Sequence, residues 1–156
     1  MKPNENALSK DTPFTVLIRV RYAECDAQRV VFNSRYGDYV DIALTEYMRK
    51  LFGGYEELLK KGIDNQVVKL STEWTSSAKS DDVLALTVRT SHIGNTSFSF
   101  QLELTNHKTK KEIAVTDIIY VLVDSTNYQK MSIPTEMRKT LEIGASNVVI
   151  DFSGGF

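Results

Sequence analysis

One segment of an otherwise strand-rich chain has the spacing of a helix, and it constrains the fold more than any other feature. Between Asn33 and Leu51 the apolar residues recur every three or four positions, so they share one face of a helix of roughly 28 Å at 1.5 Å per residue. They are Tyr36, Val40, Ala43, Leu44, Tyr47, Met48 and Leu51. Gly53 and Gly54 follow and are typical of a helix end. Such a helix must bury its apolar face against another layer of the fold.

Most of the remaining chain alternates between apolar and polar residues, which is typical of half-buried strands. The predicted strands are 14–22, 66–76, 82–93, 97–106 and 112–124. In the second of these, one face carries Val68, Leu70, Thr72 and Trp74. Residues 118–123 are apolar without interruption, which predicts a central strand covered on both faces. A short helical turn is predicted over 56–61, and a short helix over 134–142, where a proline suits the first turn.

The order strand, long helix and four antiparallel strands indicates an α+β fold. A sheet wrapped around one helix would bury both apolar surfaces, and an ordinary two-layer sandwich with another strand order would do so as well. The 156 residues suit one domain, for which we expect residues 14–142. Residues 1–13 are polar and predict a flexible leader, and residues 143–156 form a C-terminal tail whose role the sequence does not show.

Composition narrows the class of protein. The chain has 19 Lys and Arg against 20 Asp and Glu, so it lacks the basic footprint of a dedicated nucleic-acid binder. Its longest apolar run is far shorter than the roughly 20 residues of a membrane span. The first residues have no apolar core and so do not predict a signal peptide. Cys25 is the one cysteine, which excludes an intrachain disulfide and a Cys-rich zinc site. We therefore expect a soluble cytoplasmic protein.

The segment between the first strand and the long helix is the best candidate for chemistry. Asp26 lies seven residues before the predicted helix start at Asn33. Unpaired N–H groups at a helix start can bind a polarised carbonyl oxygen, and a nearby carboxylate can act on that carbonyl as a base or a nucleophile. From spacing alone, however, an aspartate at such a place is more often a cap or part of a solvated turn.

Three motifs in order resemble a known family. They are RYAECDAQRVVFNSRYGDYVDIALTEYMRKL, SAKSDDVLALTVRTSHIGNTSFSFQLEL and DSTNYQKMSIPTEMRKTLE. Together they resemble the 4-hydroxybenzoyl-CoA thioesterase-like family of hotdog-fold acyl-CoA thioesterases, over about residues 14–142. The resemblance implies a hotdog fold, in which an antiparallel sheet wraps around one long central helix. It also implies hydrolysis of acyl-CoA to a carboxylic acid and CoA without a metal or redox cofactor.

The resemblance also assigns roles to residues. Asp26 matches the catalytic aspartate, either as general base or as a nucleophile that forms a mixed anhydride, and the backbone N–H of Asn33 matches the group that polarises the thioester carbonyl. Phe32, Tyr36 and Trp74 are candidates for the substrate pocket. The resemblance further implies a homodimer, or a homotetramer of two dimers, with acyl-CoA bound between subunits.

Arg29 departs from the family pattern, which has glycine at this position. Glycine there can permit a tight turn or a positive φ. Arginine could strain the turn, lower the pKa of Asp26, bind an anionic group of the substrate or lie in solvent. The departure leaves a non-catalytic acyl-CoA-binding or regulatory module as one alternative. An acyl-carrier-protein thioesterase is another, and a purely structural protein is a third.

Other candidates for chemistry are weaker. His92 and His107 have no ligand spacing and fit surface or turn positions, and Cys25 has no histidine near it in sequence to activate a thiol. There is no GxSxG elbow of an α/β-hydrolase, no P-loop and no HExxH metal motif.

Overall fold

The computed structural model describes residues 11–155 and contains one sheet, one long helix and two short helices. The elements are β1 (Phe14–Arg19), α1 (Tyr36–Phe52), α2 (Tyr55–Lys60), β2 (Ile63–Trp74), β3 (Val83–Ile93), β4 (Ser97–Asn106), β5 (Glu112–Asp124), α3 (Thr135–Ile143) and β6 (Val149–Phe152). Short 3₁₀ turns at Tyr22–Glu24 and Asn33–Arg35 lie between β1 and α1. The predicted leader falls mostly on residues outside the described range.

The six strands form one sheet in the order β2-β5-β4-β3-β1-β6. All pairs are antiparallel, as predicted, except that the tail strand β6, which the sequence did not predict, runs parallel to β1. The helix α1 lies mainly against β1 and β3. One sheet and one long helix are the predicted arrangement.

The apolar face of α1 forms the centre of the core. The predicted residues from Tyr36 to Met48 are all buried, and Leu51 is half-buried. Tyr39, which the helical pattern omitted, is buried as well. The ring of Tyr47 lies between Phe14 and Phe100, with centroids 5.2 Å and 5.1 Å away, so aromatic contacts join the helix to both β1 and β4.

The edge strand β2 departs from the predicted burial. Its apolar face was expected in the core, yet Val68, Leu70 and Trp74 are 59%, 53% and 47% exposed. A bulge between Val67 and Lys69 interrupts the alternation, and α1 leaves this part of the sheet uncovered. β2 therefore presents an apolar edge to solvent in the single chain.

The apolar run at 118–123 is also less covered than predicted. It lies in β5, between β2 and β4, and Ile118, Tyr120 and Leu122 are buried on the helix side. On the outer face Ile119 and Val121 are only half-buried, whereas Val123 at the end of the strand is buried beside its bridge to Lys130.

The C-terminal tail has a structural role that the sequence did not show. Four of its residues form β6, which extends the sheet beyond β1. The guanidinium of Arg19 on β1 donates a hydrogen bond of 2.9 Å to the carbonyl of Ser153 and another to Gly155. The tail is therefore attached to the first strand of the domain.

No helix among residues 11–155 is long and apolar enough to cross a bilayer.

Candidate active site

The segment that carries Asp26 is a tight hairpin. The N–H of Asp26 donates to the carbonyl of Val30 at 2.9 Å, and the N–H of Arg29 donates to the carbonyl of Asp26 at 2.9 Å. Cys25 and Val31 pair just outside this turn. Arg29 has φ of 63°, so the position does need the left-handed conformation that glycine adopts freely. A residue with a side chain adopts it at a cost of roughly 1 kcal/mol.

The carboxylate of Asp26 is half-buried and has one oxygen in use. Its Oδ1 accepts a hydrogen bond of 2.8 Å from the N–H of Gln28, which fixes the orientation of the group. Its Oδ2 accepts none from any residue in the described range. The turn that a purely structural aspartate would make is therefore present, and the second oxygen is left without a donor from the described chain.

The helix start supplies unpaired donors close to this hairpin. The N–H of Phe32 donates to the carbonyl of Glu24 at 2.9 Å, and the N–H of Arg35 donates back to Phe32. The N–H groups of Asn33 and Ser34 have no hydrogen-bond partner within residues 11–155, as expected for the first two residues of a helical turn. Two donors and a partial positive charge are therefore available at this point.

A cavity of about 380 Å³ brings most of the predicted site residues together. Asp26, Phe32, Asn33, Tyr36 and Trp74 all line it. The rings of Tyr36 and Trp74 meet edge to face at 5.7 Å and form an aromatic wall. Burial raises the pKa of Tyr36, whose hydroxyl accepts a hydrogen bond from the N–H of Ala78, so this phenol stays neutral.

Arg29 lies on the other side of Asp26. It lines a second cavity of about 760 Å³, together with Tyr22, Ser80 and Asp26 itself, so Asp26 forms part of the wall of both cavities. The Arg29 side chain is exposed and makes no ion pair with any described residue. In the free chain the Arg29 side chain therefore lies in solvent, while its backbone carries the turn strain that was also considered.

Glu24 and Tyr39 belong to this region and were missed in the sequence. The buried carboxylate of Glu24 accepts hydrogen bonds from the Tyr39 hydroxyl at 3.0 Å and from the N–H of Arg21 at 2.7 Å, and it pairs with the Arg21 guanidinium at 3.1 Å. Burial alone would raise the pKa of Glu24, but these hydrogen bonds outweigh it and lower the pKa. Burial and the Glu24 carboxylate raise the pKa of Tyr39.

This network fastens the hairpin to the helix, because Tyr39 is on α1 and Glu24 is two residues before Asp26. In the sequence, a carboxylate two residues before Asp26 and a tyrosine in the first turns of the helix were the features that could have predicted this hydrogen bond.

Comparisons with known proteins identify the family. A family model described as the thioesterase-like superfamily matches residues 20–141. The chain belongs to the thioesterase-like superfamily. It is also 28% identical, over 129 residues, to the acyl-CoA thioesterase YbgC of Haemophilus influenzae, covering 82% of this chain and 93% of that protein.

Solved structures of thioesterases have the same fold. A thioesterase superfamily protein from Jannaschia superposes with a TM-score of 0.78 at 16% identity, covering 92% of this chain and 97% of the other. The 1,4-dihydroxy-2-naphthoyl-CoA thioesterase of Synechocystis has a TM-score of 0.74 at 16% identity and covers 82% and 94%. The resemblance and the hotdog fold predicted for this member of the thioesterase-like superfamily are therefore confirmed.

The other candidates in this thioesterase-like chain remain outside the cavity of Asp26 and Asn33. His92 lies on β3, and His107 directly follows β4. Cys25 is half-buried beside Val31, with its thiol 3.9 Å from the carbonyl of Arg21. No group of three or more His, Cys, Asp or Glu within residues 11–155 has the arrangement of a metal site.

Proposed function

We propose that this chain hydrolyses acyl-CoA thioesters to a free carboxylic acid and CoA, with Asp26 and the helix start as the catalytic groups. The observation that carries the proposal is that Asp26, whose Oδ2 is free, and Asn33, whose backbone N–H is unpaired, line one cavity. Membership of the thioesterase-like superfamily and the similarity to YbgC support a thioester substrate.

In the proposed reaction, the thioester oxygen accepts a hydrogen bond from the N–H of Asn33 at the helix start. This donor stabilises the oxyanion that forms when the carbonyl is attacked, an effect worth about 10²–10³-fold in rate. Asp26 either removes a proton from the attacking water, worth about 10²–10⁴-fold, or attacks the carbonyl itself. The carbon–sulfur bond then breaks. In the first route the thiolate takes up the proton that Asp26 removed from water, and the acid and CoA leave. In the second route the thiolate takes up a proton from solvent, and a water then hydrolyses the Asp26–acyl anhydride, which releases the acid and restores the carboxylate.

We also propose that the active form is a homodimer joined through β2. This strand has twelve residues, is at the edge of the sheet and exposes Val68, Leu70 and Trp74. An exposed apolar edge favours pairing with another strand, and a second β2 is the complementary surface. Trp74 lines the Asp26 cavity, so acyl-CoA bound there would lie next to the subunit interface.

The test is release of free thiol from a panel of acyl-CoAs by the wild type and Asp26→Asn. The substitution keeps the hydrogen bond to Gln28 and removes the charge, so we expect kcat to fall by at least about a hundredfold. Asp117→Asn is the matched control, because Asp117 is an exposed carboxylate on β5 that accepts a hydrogen bond from Gln101. Equal turnover by the two variants would remove Asp26 from the mechanism.

The alternatives are separated in the same assay. Faster turnover of the same acyl group on an acyl carrier protein than on CoA would favour a carrier-protein thioesterase. Saturable binding without turnover would favour a non-catalytic module. The backbone of Arg29 argues against that last alternative, since arginine adopts the φ that the family glycine would have and the turn keeps both of its hydrogen bonds.

A further inference from the structure

A groove lies along α1, away from both the cavity of Asp26 and Asn33 and the cavity of Arg29. It has a volume of about 620 Å³ and is bounded by the second half of α1 and the first residues of β2. Leu44, Met48 and Val67 give it an apolar wall. Asn65 and Tyr120 bring polar groups into that surface.

The side-chain oxygen of Asn65, which lines this groove, is an orphan acceptor: Oδ1 is buried and has no hydrogen-bond partner in the described chain. The backbone N–H of Asn65 is satisfied by Asp64 at 2.8 Å, so only the side chain lacks a partner. An unsatisfied buried acceptor costs about 1–3 kcal/mol, and such groups are rare unless a ligand, a water or a partner completes them.

Tyr120 brings a second polar group to the same groove. In the β2–β5 pairing, Asn65 faces Leu122 and Val67 faces Tyr120, so Asn65 and Tyr120 are diagonal neighbours on one face of the sheet. The Tyr120 ring is fixed by stacking on Phe98 at 5.3 Å, and its hydroxyl has no hydrogen-bond partner among residues 11–155. Burial and the charge of Asp41 raise the pKa of Tyr120 to about 12, which keeps the phenol protonated.

We infer that this groove binds a part of the substrate that carries a hydrogen-bond donor, with Asn65 Oδ1 as its acceptor and the Tyr120 hydroxyl as a second contact. The inference rests on the proposed thioesterase function. The donor is either a hydroxyl on the acyl group or an amide N–H of the pantetheine arm. Both sources present the same O–H or N–H chemistry to Asn65.

The groove is placed to reach a substrate held at Asp26. The Asp26 cavity and this groove both border α1 and β2. Tyr36 and Trp74 line the Asp26 cavity, and Thr45 and Val67 line the groove. From Tyr36 to Thr45 the helix rises about 13 Å, a distance that an extended pantetheine arm or a long acyl chain covers.

Asn65→Leu is the decisive variant, because leucine has a similar shape and no acceptor. We expect its melting temperature to equal or exceed that of the wild type, since removal of an orphan acceptor relieves a cost in the free protein. Its kcat/KM should fall by about tenfold or more, because the substrate donor loses its partner. Gln129→Leu makes the same amide-to-leucine change at an exposed position outside β2 and should alter neither quantity. Tyr120→Phe removes only the second hydroxyl.

Two matched substrate pairs distinguish the sources: hexanoyl-CoA with its ω-hydroxy analogue, and phenylacetyl-CoA with its para-hydroxy analogue. If the donor is an acyl hydroxyl, the wild type prefers the hydroxylated member and Asn65→Leu abolishes that preference. If the donor is a pantetheine amide, Asn65→Leu raises KM equally for all four while kcat changes little. Unchanged constants for every substrate would overturn the inference.

Failure of the proposed function would be seen separately, as no hydrolysis by the wild type. Calorimetric titration of the same four acyl-CoAs into wild type and Asn65→Leu would then test the groove directly. Equal affinities, or no binding to either protein, would overturn the inference.

Discussion

At the scale of single residues, Arg29 shows how the chain accommodates an unusual side chain at a turn. Its φ of 63° is the conformation of a glycine, and its side chain makes no ion pair with a described residue. Arg29→Gly should therefore stabilise the fold by up to about 1 kcal/mol. Urea unfolding measures this change, with Lys110→Gly as the control because Lys110 has φ of 64° in another hairpin. Destabilisation by Arg29→Gly alone would show that the arginine makes a stabilising contact.

Glu24 is the residue on which the geometry of the Asp26 hairpin depends most. Glu24→Ala leaves the buried Tyr39 hydroxyl and the N–H of Arg21 without an acceptor, which should cost about 1–3 kcal/mol. We expect kcat to fall more than KM rises, because the hairpin that positions Asp26 loses its link to α1. Glu24→Gln keeps an acceptor oxygen and should recover most of the kcat. Full activity of a folded Glu24→Ala would show that the network supports stability alone.

The charge of Glu24 also predicts a pH dependence. Its pKa in the folded protein is below the value of 4.5 for an unperturbed group, so the ionised carboxylate stabilises the fold. That contribution is fully present above the unfolded pKa and is lost as the pH falls through the folded pKa. The free energy of unfolding should therefore decrease less steeply below pH 4.5 in Glu24→Gln than in the wild type. Denaturant titrations at a series of acidic pH values measure the two slopes, and equal slopes would contradict the assignment.

At the scale of elements, the tail strand β6 depends on Arg19. The Arg19 guanidinium donates to the carbonyls of Ser153 and Gly155, which lie just after β6. Arg19→Met keeps the apolar part of the side chain and removes these bonds together with the ion pair to the exposed Asp81, so we expect a loss of about 1–2 kcal/mol in the free energy of unfolding. Thermal unfolding with Arg89→Met, an exposed arginine on β3, as the control measures the effect. Equal melting temperatures would show that strand pairing alone holds the tail.

The elements that the sequence predicted well are those in which the periodic pattern extends over many residues. The bounds of β4 and β5 are as predicted, and the 17 residues of α1 are 16 of the predicted residues and their neighbour Phe52. The tail strand β6 has four residues and pairs with a strand more than 130 positions earlier, so no local pattern reveals it. The first strand ends at Arg19 rather than at residue 22, because the Glu24 carboxylate draws the following backbone into a turn.

The candidate site divides in the same way. Asp26 and Asn33 follow from a motif and the start of a helix, and both line one cavity. The link between Glu24 and Tyr39, and the placement of Asn65 beside Tyr120, depend on how distant segments meet. Periodicity gives the face on which a side chain lies, but it gives neither the hydrogen-bond partners nor the groups left without one.

At the scale of the whole molecule, the two edges of the sheet differ in length and in exposed apolar surface. β2 has twelve residues with Val67, Val68, Leu70 and Trp74 about half exposed, whereas β6 has four residues. A long apolar edge that borders the Asp26 cavity is the expected surface for a second copy of the chain. The incomplete burial of β2 in one protomer has a physical explanation if a partner strand covers it.

The proposed dimer predicts the effect of a charge at this edge. Leu70→Lys places an ammonium where a partner strand would pack, so we expect a monomer in sedimentation velocity with a near-native melting temperature. Val149→Lys is the matched control, because Val149 is equally exposed on the opposite edge of the sheet, and this variant should sediment like the wild type. Thiol release should fall in the Leu70 variant, since the cavity lined by Trp74 loses the neighbouring subunit. A Leu70→Lys protein that remains dimeric would place the interface elsewhere, and a fully active monomer would show that one protomer contains the complete site.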